Sequence, residues 1–170
     1  MPQSAPIKKR IQNERLLCSQ YVAENYPTGR IFTQQYLGPF NHDTELKDLT
    51  NSQKLAIGTG RRRADAVIVL PDKIVLIESY VHVALGKLSQ LMTYIQLLPS
   101  TPELADFVHL PIEGILVGAQ RDPILDQMAA RFDISVVIFR PSWVVKYLAT
   151  VYPRKSRDRK NVDLGLKRAQ

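Results

Sequence analysis

The stretch Arg61–Tyr94, RRRADAVIVLPDKIVLIESYVHVALGKLSQLMTY, carries the outline of the fold. Ala64–Leu70 and Lys73–Tyr80 are apolar at nearly every position. That pattern suits strands inside a sheet covered on both faces. Pro71-Asp72 between them is a turn signal, so the two runs read as a hairpin. From His82 to Leu98, the residues Leu85, Leu88, Leu91, Met92 and Ile95 recur at helical spacing until Pro99-Ser100 stops them. Two carboxylates, Asp65 and Glu78, stand where apolar residues belong. If Pro71 and Asp72 are the turn, Leu70 faces Lys73 and the same register sets Asp65 opposite Glu78. Their Cβ atoms would then lie roughly 4.5–5.5 Å apart. A four-residue loop preserves this register and a three-residue loop shifts it by one.

Upstream, Ile7, Ile11, Leu17, Cys18, Tyr21 and Val22 form a helical stripe over Ile7–Asn25, which Pro27 ends. Arg30–Leu37 (RIFTQQYL) reads as a strand, broken by Gly38-Pro39. Residues 39–60 are polar, with weak helical character over 43–55, and read as a long loop or small insertion beside the acidic pair. Downstream, Glu113–Gly118 is a short buried strand. Asp122 caps a helix that Pro123 opens and that runs to about Phe132. Ser135–Phe139 is a further strand, and Ser142 caps a last helix from Trp143 to about Val151. Strand–helix–strand units imply parallel pairing with right-handed crossovers, and the hairpin makes the sheet mixed. The expectation is a three-layer α/β domain over residues 1–153 and a basic tail over 154–170.

A chain of 170 residues suits one domain with a real core. No apolar run reaches the roughly 18 residues that span a bilayer. The basic start MPQSAPIKKR is not followed by the apolar region of a signal peptide. The expected setting is cytoplasmic. The single cysteine, Cys18, excludes an intramolecular disulfide and a cysteine zinc cluster, and its place on the apolar stripe predicts a buried thiol. His42, His82 and His109 lack metal-ligand spacing, and Gly58-Thr59-Gly60 lacks the context of a phosphate loop. Trp143 and the tyrosines read as core.

The net charge of +7 is gathered in clusters. Lys8, Lys9 and Arg10 form one, Arg61, Arg62 and Arg63 a second. The third holds Arg154, Lys155, Arg157, Arg159, Lys160, Lys167 and Arg168 against Asp158 and Asp163. Such clusters point to a polyanion, most simply nucleic acid. A solvated tail that aids solubility is the plainer alternative.

Two like charges opposed in an apolar hairpin destabilise it without compensation. A shared proton, a neighbouring arginine or a divalent cation would each supply it. Oxygen-only ligands favour Mg²⁺ or Mn²⁺, with the Ser79 carbonyl as a third ligand. Such an ion orients a phosphodiester, activates water and stabilises the leaving oxygen. The plainer reading pairs Asp65 with a preceding arginine and leaves Glu78 at a wet strand end.

Asp65, the hairpin, Glu78-Ser79-Tyr80 and the helix bearing Gln90-Leu91-Met92-Thr93-Tyr94 together resemble the PD-(D/E)XK nuclease superfamily. The QxxxY element resembles its RecB-like branch. The resemblance spans Ile7 to Gly118 and implies a restriction-endonuclease-like fold, an αβββαβ core with an αβα extension. It also implies a metal-dependent deoxyribonuclease in which Asp65 and Glu78 hold Mg²⁺ or Mn²⁺, while Gln90 and Tyr94 orient DNA. Glu14 or Glu24 would add the further acid that some members use. Tyr80 stands at the family's lysine position, and Lys87, seven residues before Tyr94 and so on nearly the same helical bearing, is the substitute within reach. Arg61, Arg62, Arg63, Arg154, Lys155 and Arg157 would engage phosphates. The rival expectation is a degenerate member that serves as a DNA-binding or assembly subunit, in a phage, mobile-element or defence complex where a larger partner supplies specificity. A third is an α/β protein whose carboxylates are only structural.

Overall fold

The computed structural model describes residues 7–39 and 61–152. The elements run α1 (Ile7–Asn25), β1 (Arg30–Leu37), β2 (Arg62–Val69), β3 (Ile74–Tyr80), α2 (Gly86–Leu97), β4 (Ile112–Gly118), α3 (Pro123–Ala130), β5 (Ser135–Ile138) and α4 (Ser142–Val151). Two 3₁₀ turns, Leu98–Ser100 and Pro102–Phe107, lie between α2 and β4. The expectation over 43–55 and the basic residues from 154 onward lie outside the described residues.

The five strands form one sheet in the order β1-β2-β3-β4-β5. β1, β2 and β3 are antiparallel neighbours, and β4 and β5 join in parallel, so the sheet is mixed as the order of elements predicts. β3 is the central strand and every residue of it is buried, which is why its sequence shows no alternation. Leu17, Cys18, Tyr21 and Val22 of α1, with Val144 of α4, cover one face through Ala66, Ile68, Val75 and Ile77. Leu88, Leu91 and Tyr94 of α2, with Leu125 and Ala129 of α3, cover the other through Val67, Val69, Ile74 and Leu76. This is a three-layer fold with the αβββαβ order that the resemblance implies. Among the described residues no helix is long and apolar enough to cross a membrane.

The hairpin turn is two residues long. The Leu70 amide donates to the Lys73 carbonyl at 2.9 Å, and the ladder runs from Val69–Ile74 to Ala66–Ile77 in the expected register. Other boundaries differ. α2 opens at Gly86 rather than His82, because His82 is held elsewhere: its ring nitrogens lie 2.9 Å from the Tyr147 hydroxyl and 3.1 Å from the Tyr152 hydroxyl at the end of α4. Ser142 is inside α4 and does not cap it; Pro141 precedes the helix and its carbonyl receives the Val144 and Val145 amides. Asp122 does cap α3, accepting from Ile124 at 2.8 Å and Leu125 at 3.1 Å. α3 ends at Ala130, and Asp133, in the left-handed region at φ 53°, turns the chain into β5.

Gly118 pairs with Tyr80 across the β3–β4 ladder, and the phenol lies directly over it, its hydroxyl donating to the Gln120 carbonyl at 3.2 Å. A Cβ at Gly118 would overlap the Tyr80 ring. Gly118→Ala is therefore expected to cost about 1–3 kcal/mol of stability through overpacking, read as a lower urea midpoint with an unchanged slope.

Candidate active site

The β2–β3 ladder stops one pair short of the acidic residues, and side chains take over from the backbone there. The Asp65 amide donates to Glu78 Oε1 at 3.2 Å, and the Ser79 amide donates to Asp65 Oδ2 at 2.9 Å. Each carboxylate thus receives an N–H from the opposite strand. Ser79 Oγ lies 2.6 Å from Asp65 Oδ2 and 3.0 Å from the Glu14 carbonyl of α1, two acceptors for its one proton. Gln34 of β1 brings Nε2 to 3.4 Å from Asp65 Oδ1. The register that sets Asp65 opposite Glu78 holds, but Asp65 turns to Ser79 rather than lying flat beside Glu78.

Glu78 has no solvent exposure and is met from above by α2. Lys87, on the first turn of that helix, places Nζ 3.0 Å from Glu78 Oε2 and 3.7 Å from Glu14 Oε2. Burial, then the charge of Asp65, pushes the Glu78 carboxyl up to about 7 against the pull of Lys87. Burial works against the Lys87 ammonium, but Glu78, Asp65 and Glu14 outweigh it and hold it above the usual lysine range. Of the two acids considered on α1, Glu14 joins the site and Glu24 is exposed away from it.

One turn along α2, Gln90 Nε2 donates to the Tyr94 hydroxyl at 2.6 Å. Gln90 stands between two clefts. One of about 200 Å³ is lined by Glu14, Arg15, Gln34, Arg63, Asp65 and Lys87. The other, about 440 Å³, is lined by Arg62, Ser89, Thr93 and Tyr94. The structure thus brings Asp65, Glu78, Ser79, Lys87, Gln90 and Tyr94 together, with Arg62 and Arg63 at the rims.

Arg61 is a correction. Its side chain is buried and forked onto Glu103, at 2.7 and 2.9 Å, with the Tyr36 carbonyl at 3.1 Å, so it is not presented to a phosphate. The guanidinium fixes the start of β2 to the second 3₁₀ turn. Nor does Asp65 pair with an arginine. Tyr80 points over Gly118 into the core, where burial pushes its phenol up to about 12. Arg154, Lys155 and Arg157 lie outside the described residues. Sequence reasoning passed over Gln34. The one signal was the doublet Gln34-Gln35 in RIFTQQYL, two adjacent polar residues where a strand with one covered face alternates.

No family model matches the chain, and no curated protein does. Among solved structures it is similar to a repair endonuclease from Pyrococcus abyssi, at 14% identity over 83% of this chain and 50% of that one, with a TM-score of 0.45. It is also similar to a protein of unknown function, at 7% identity over 72% of this chain and 56% of the other, with a TM-score of 0.46. The chain spans about half the length of each.

Removing the ammonium leaves a buried carboxylate beside another. Lys87→Met is expected to cost about 3 kcal/mol at a pH near 8. Glu78, whose folded value already lies above its ordinary one, then binds its proton more tightly in the folded state. The loss therefore shrinks as pH falls through about 7 toward 5. Urea unfolding at the two ends of that range reads the effect, and adding Glu78→Gln should recover most of the loss at the higher pH.

Proposed function

We propose that the chain is a divalent-metal-dependent deoxyribonuclease of the PD-(D/E)XK superfamily, in its RecB-like branch, hydrolysing phosphodiester bonds of DNA. The observation that carries this reading is the Lys87 ammonium 3.0 Å from Glu78. It supplies from α2 the positive charge that Tyr80 does not supply from β3.

The donor set fits a hard cation. Asp65 and Glu78 offer carboxylate oxygens at one strand end, and Mg²⁺ is commonly held by one or two carboxylates with waters and substrate phosphate completing the shell. Among the described residues no group of three or more His, Cys, Asp or Glu side chains is placed to hold a metal ion, so Asp65 and Glu78 would be the protein's carboxylate share of the shell. When bound, such an ion polarises the phosphate and lowers the pKa of an attacking water. The protein's own residues do the rest. Lys87 holds positive charge beside the reacting phosphate, where negative charge grows in the transition state. Gln90 and Tyr94 form a hydrogen-bonded pair at the junction of the clefts and orient the strand. Arg62 and Arg63 hold phosphates at the rims.

A second reading is a DNA-binding or assembly subunit without cleavage. It is favoured by one feature: each oxygen of Asp65 and Glu78 already has a protein donor, so the cluster is satisfied as it stands. In either reading DNA is the ligand, and specificity comes from a larger assembly.

The test is incubation with single- and double-stranded DNA in Mg²⁺ or Mn²⁺. Wild type should cut, and Asp65→Ala, Glu78→Ala and Lys87→Ala should each lose about 10²-fold or more while still folded. Wild type that binds DNA but cuts under none of these conditions gives the second reading. Arg62→Ala and Arg63→Ala should weaken DNA binding without regard to sequence and should each lower the salt slope by about 1.

A further inference from the structure

In β1 and β2 the alternation of side chains breaks at one matched place. Phe32 and Leu37 both pack under α2 although five residues separate them, and so do Ala64 and Val67, three apart. A regular strand would put the members of each pair on opposite faces. The register is the same on both sides, with Thr33 on Ala66 before the break and Gln35 on Ala64 after it, but the ladder skips the pair between them. One residue in each strand is therefore out of phase, and the two that face each other there are Gln34 and Asp65. Gln34 is in the left-handed region at φ 54°, which a non-glycine residue inside a strand occupies only under constraint.

The consequence falls on the carboxylate. In regular pairing Asp65 would share the α2 face with Glu78, two like charges side by side. With the slip, Oδ2 meets the Ser79 amide at 2.9 Å and Ser79 Oγ at 2.6 Å, on the side toward α1 where Ser79 also reaches the Glu14 carbonyl. Gln34 keeps its own carboxamide on the other oxygen, Nε2 standing 3.4 Å from Oδ1. We propose that Gln34 is a positioning residue for the site: its left-handed backbone turns the Asp65 carboxylate off the Glu78 face and onto Ser79. The proposal rests on the nuclease reading only for its catalytic consequence, because the orientation of Asp65 is a property of the metal-free protein.

The backbone and the side chain of Gln34 separate by substitution. Glycine adopts positive φ freely and drops the carboxamide, asparagine tolerates it and keeps an amide, and valine disfavours it strongly. The readout is hydrogen exchange of the Ser79 amide in metal-free protein, beside cleavage in Mg²⁺. Gln34→Val should speed exchange at Ser79 by about tenfold or more, the equivalent of a lost hydrogen bond, and should reduce cleavage in parallel. Gln34→Gly and Gln34→Asn should keep the Ser79 protection within about threefold of wild type. A folded Gln34→Val protein with wild-type protection at Ser79 overturns the proposal. So does a Gln34→Gly protein that loses that protection, a comparison that stands even if the valine variant does not fold. A wild type that never cuts overturns the nuclease reading, while the Ser79 comparison still decides the role of Gln34.

Discussion

The placement of two carboxylates at the open end of a buried hairpin constrains the rest of the fold. Charge of this kind is held inside protein only when its oxygens are met by donors and its sign is balanced. The structure meets both conditions with parts from five elements. β2 and β3 exchange amide-to-carboxylate bonds in place of their last ladder pair. α1 crosses the strand end, where its Glu14 carbonyl meets Ser79. α2 begins where Lys87 can stand over Glu78, and β1 is turned at Gln34 to let Asp65 rotate. Remove the acids, and none of these local irregularities has a reason.

The arginines show how adjacent, chemically alike residues are assigned different work by burial. Arg61 is enclosed, and its planar fork matches Glu103 in the two-point geometry that makes a desolvated guanidinium tolerable. Arg62 and Arg63, on the first turn of the pleat beyond it, are exposed and line the two clefts. Arg61 anchors the strand from which its neighbours project. A run of three basic residues carries no mark that distinguishes these duties, because the partner of Arg61 lies 42 positions away.

Much of the fold was legible because local signals agreed. The apolar hairpin, the Pro71-Asp72 turn, the Asp122 cap and the parallel strand–helix–strand units each specify structure within a few residues. The register that relates Asp65 to Glu78 was legible for the same reason, since turn length fixes it. Long-range competition hid the remainder. His82 reads as helix, but Tyr147 of α4 and Tyr152 just after that helix hold its ring, and α2 starts four residues later. Ser142 reads as a cap, but the Pro141 carbonyl receives the first free amides. The turn at Gln34 depends on what lies across the sheet, and only the Gln34-Gln35 doublet hinted at it.

The position of the cation follows from packing on the far side of β3. The Tyr80 phenol covers Gly118, a contact so close that only glycine fits beneath it. Tyr80 is thereby committed to packing on β4, and the ammonium that meets Glu78 comes from the helix. Residues 81–85 bend and turn before α2 opens at Gly86, and Lys87 on its first turn then stands beside Glu78. Within that connection the His82 ring lies between the Tyr147 and Tyr152 hydroxyls. α4 thus bonds to the segment that leads from Glu78 into the helix bearing Lys87.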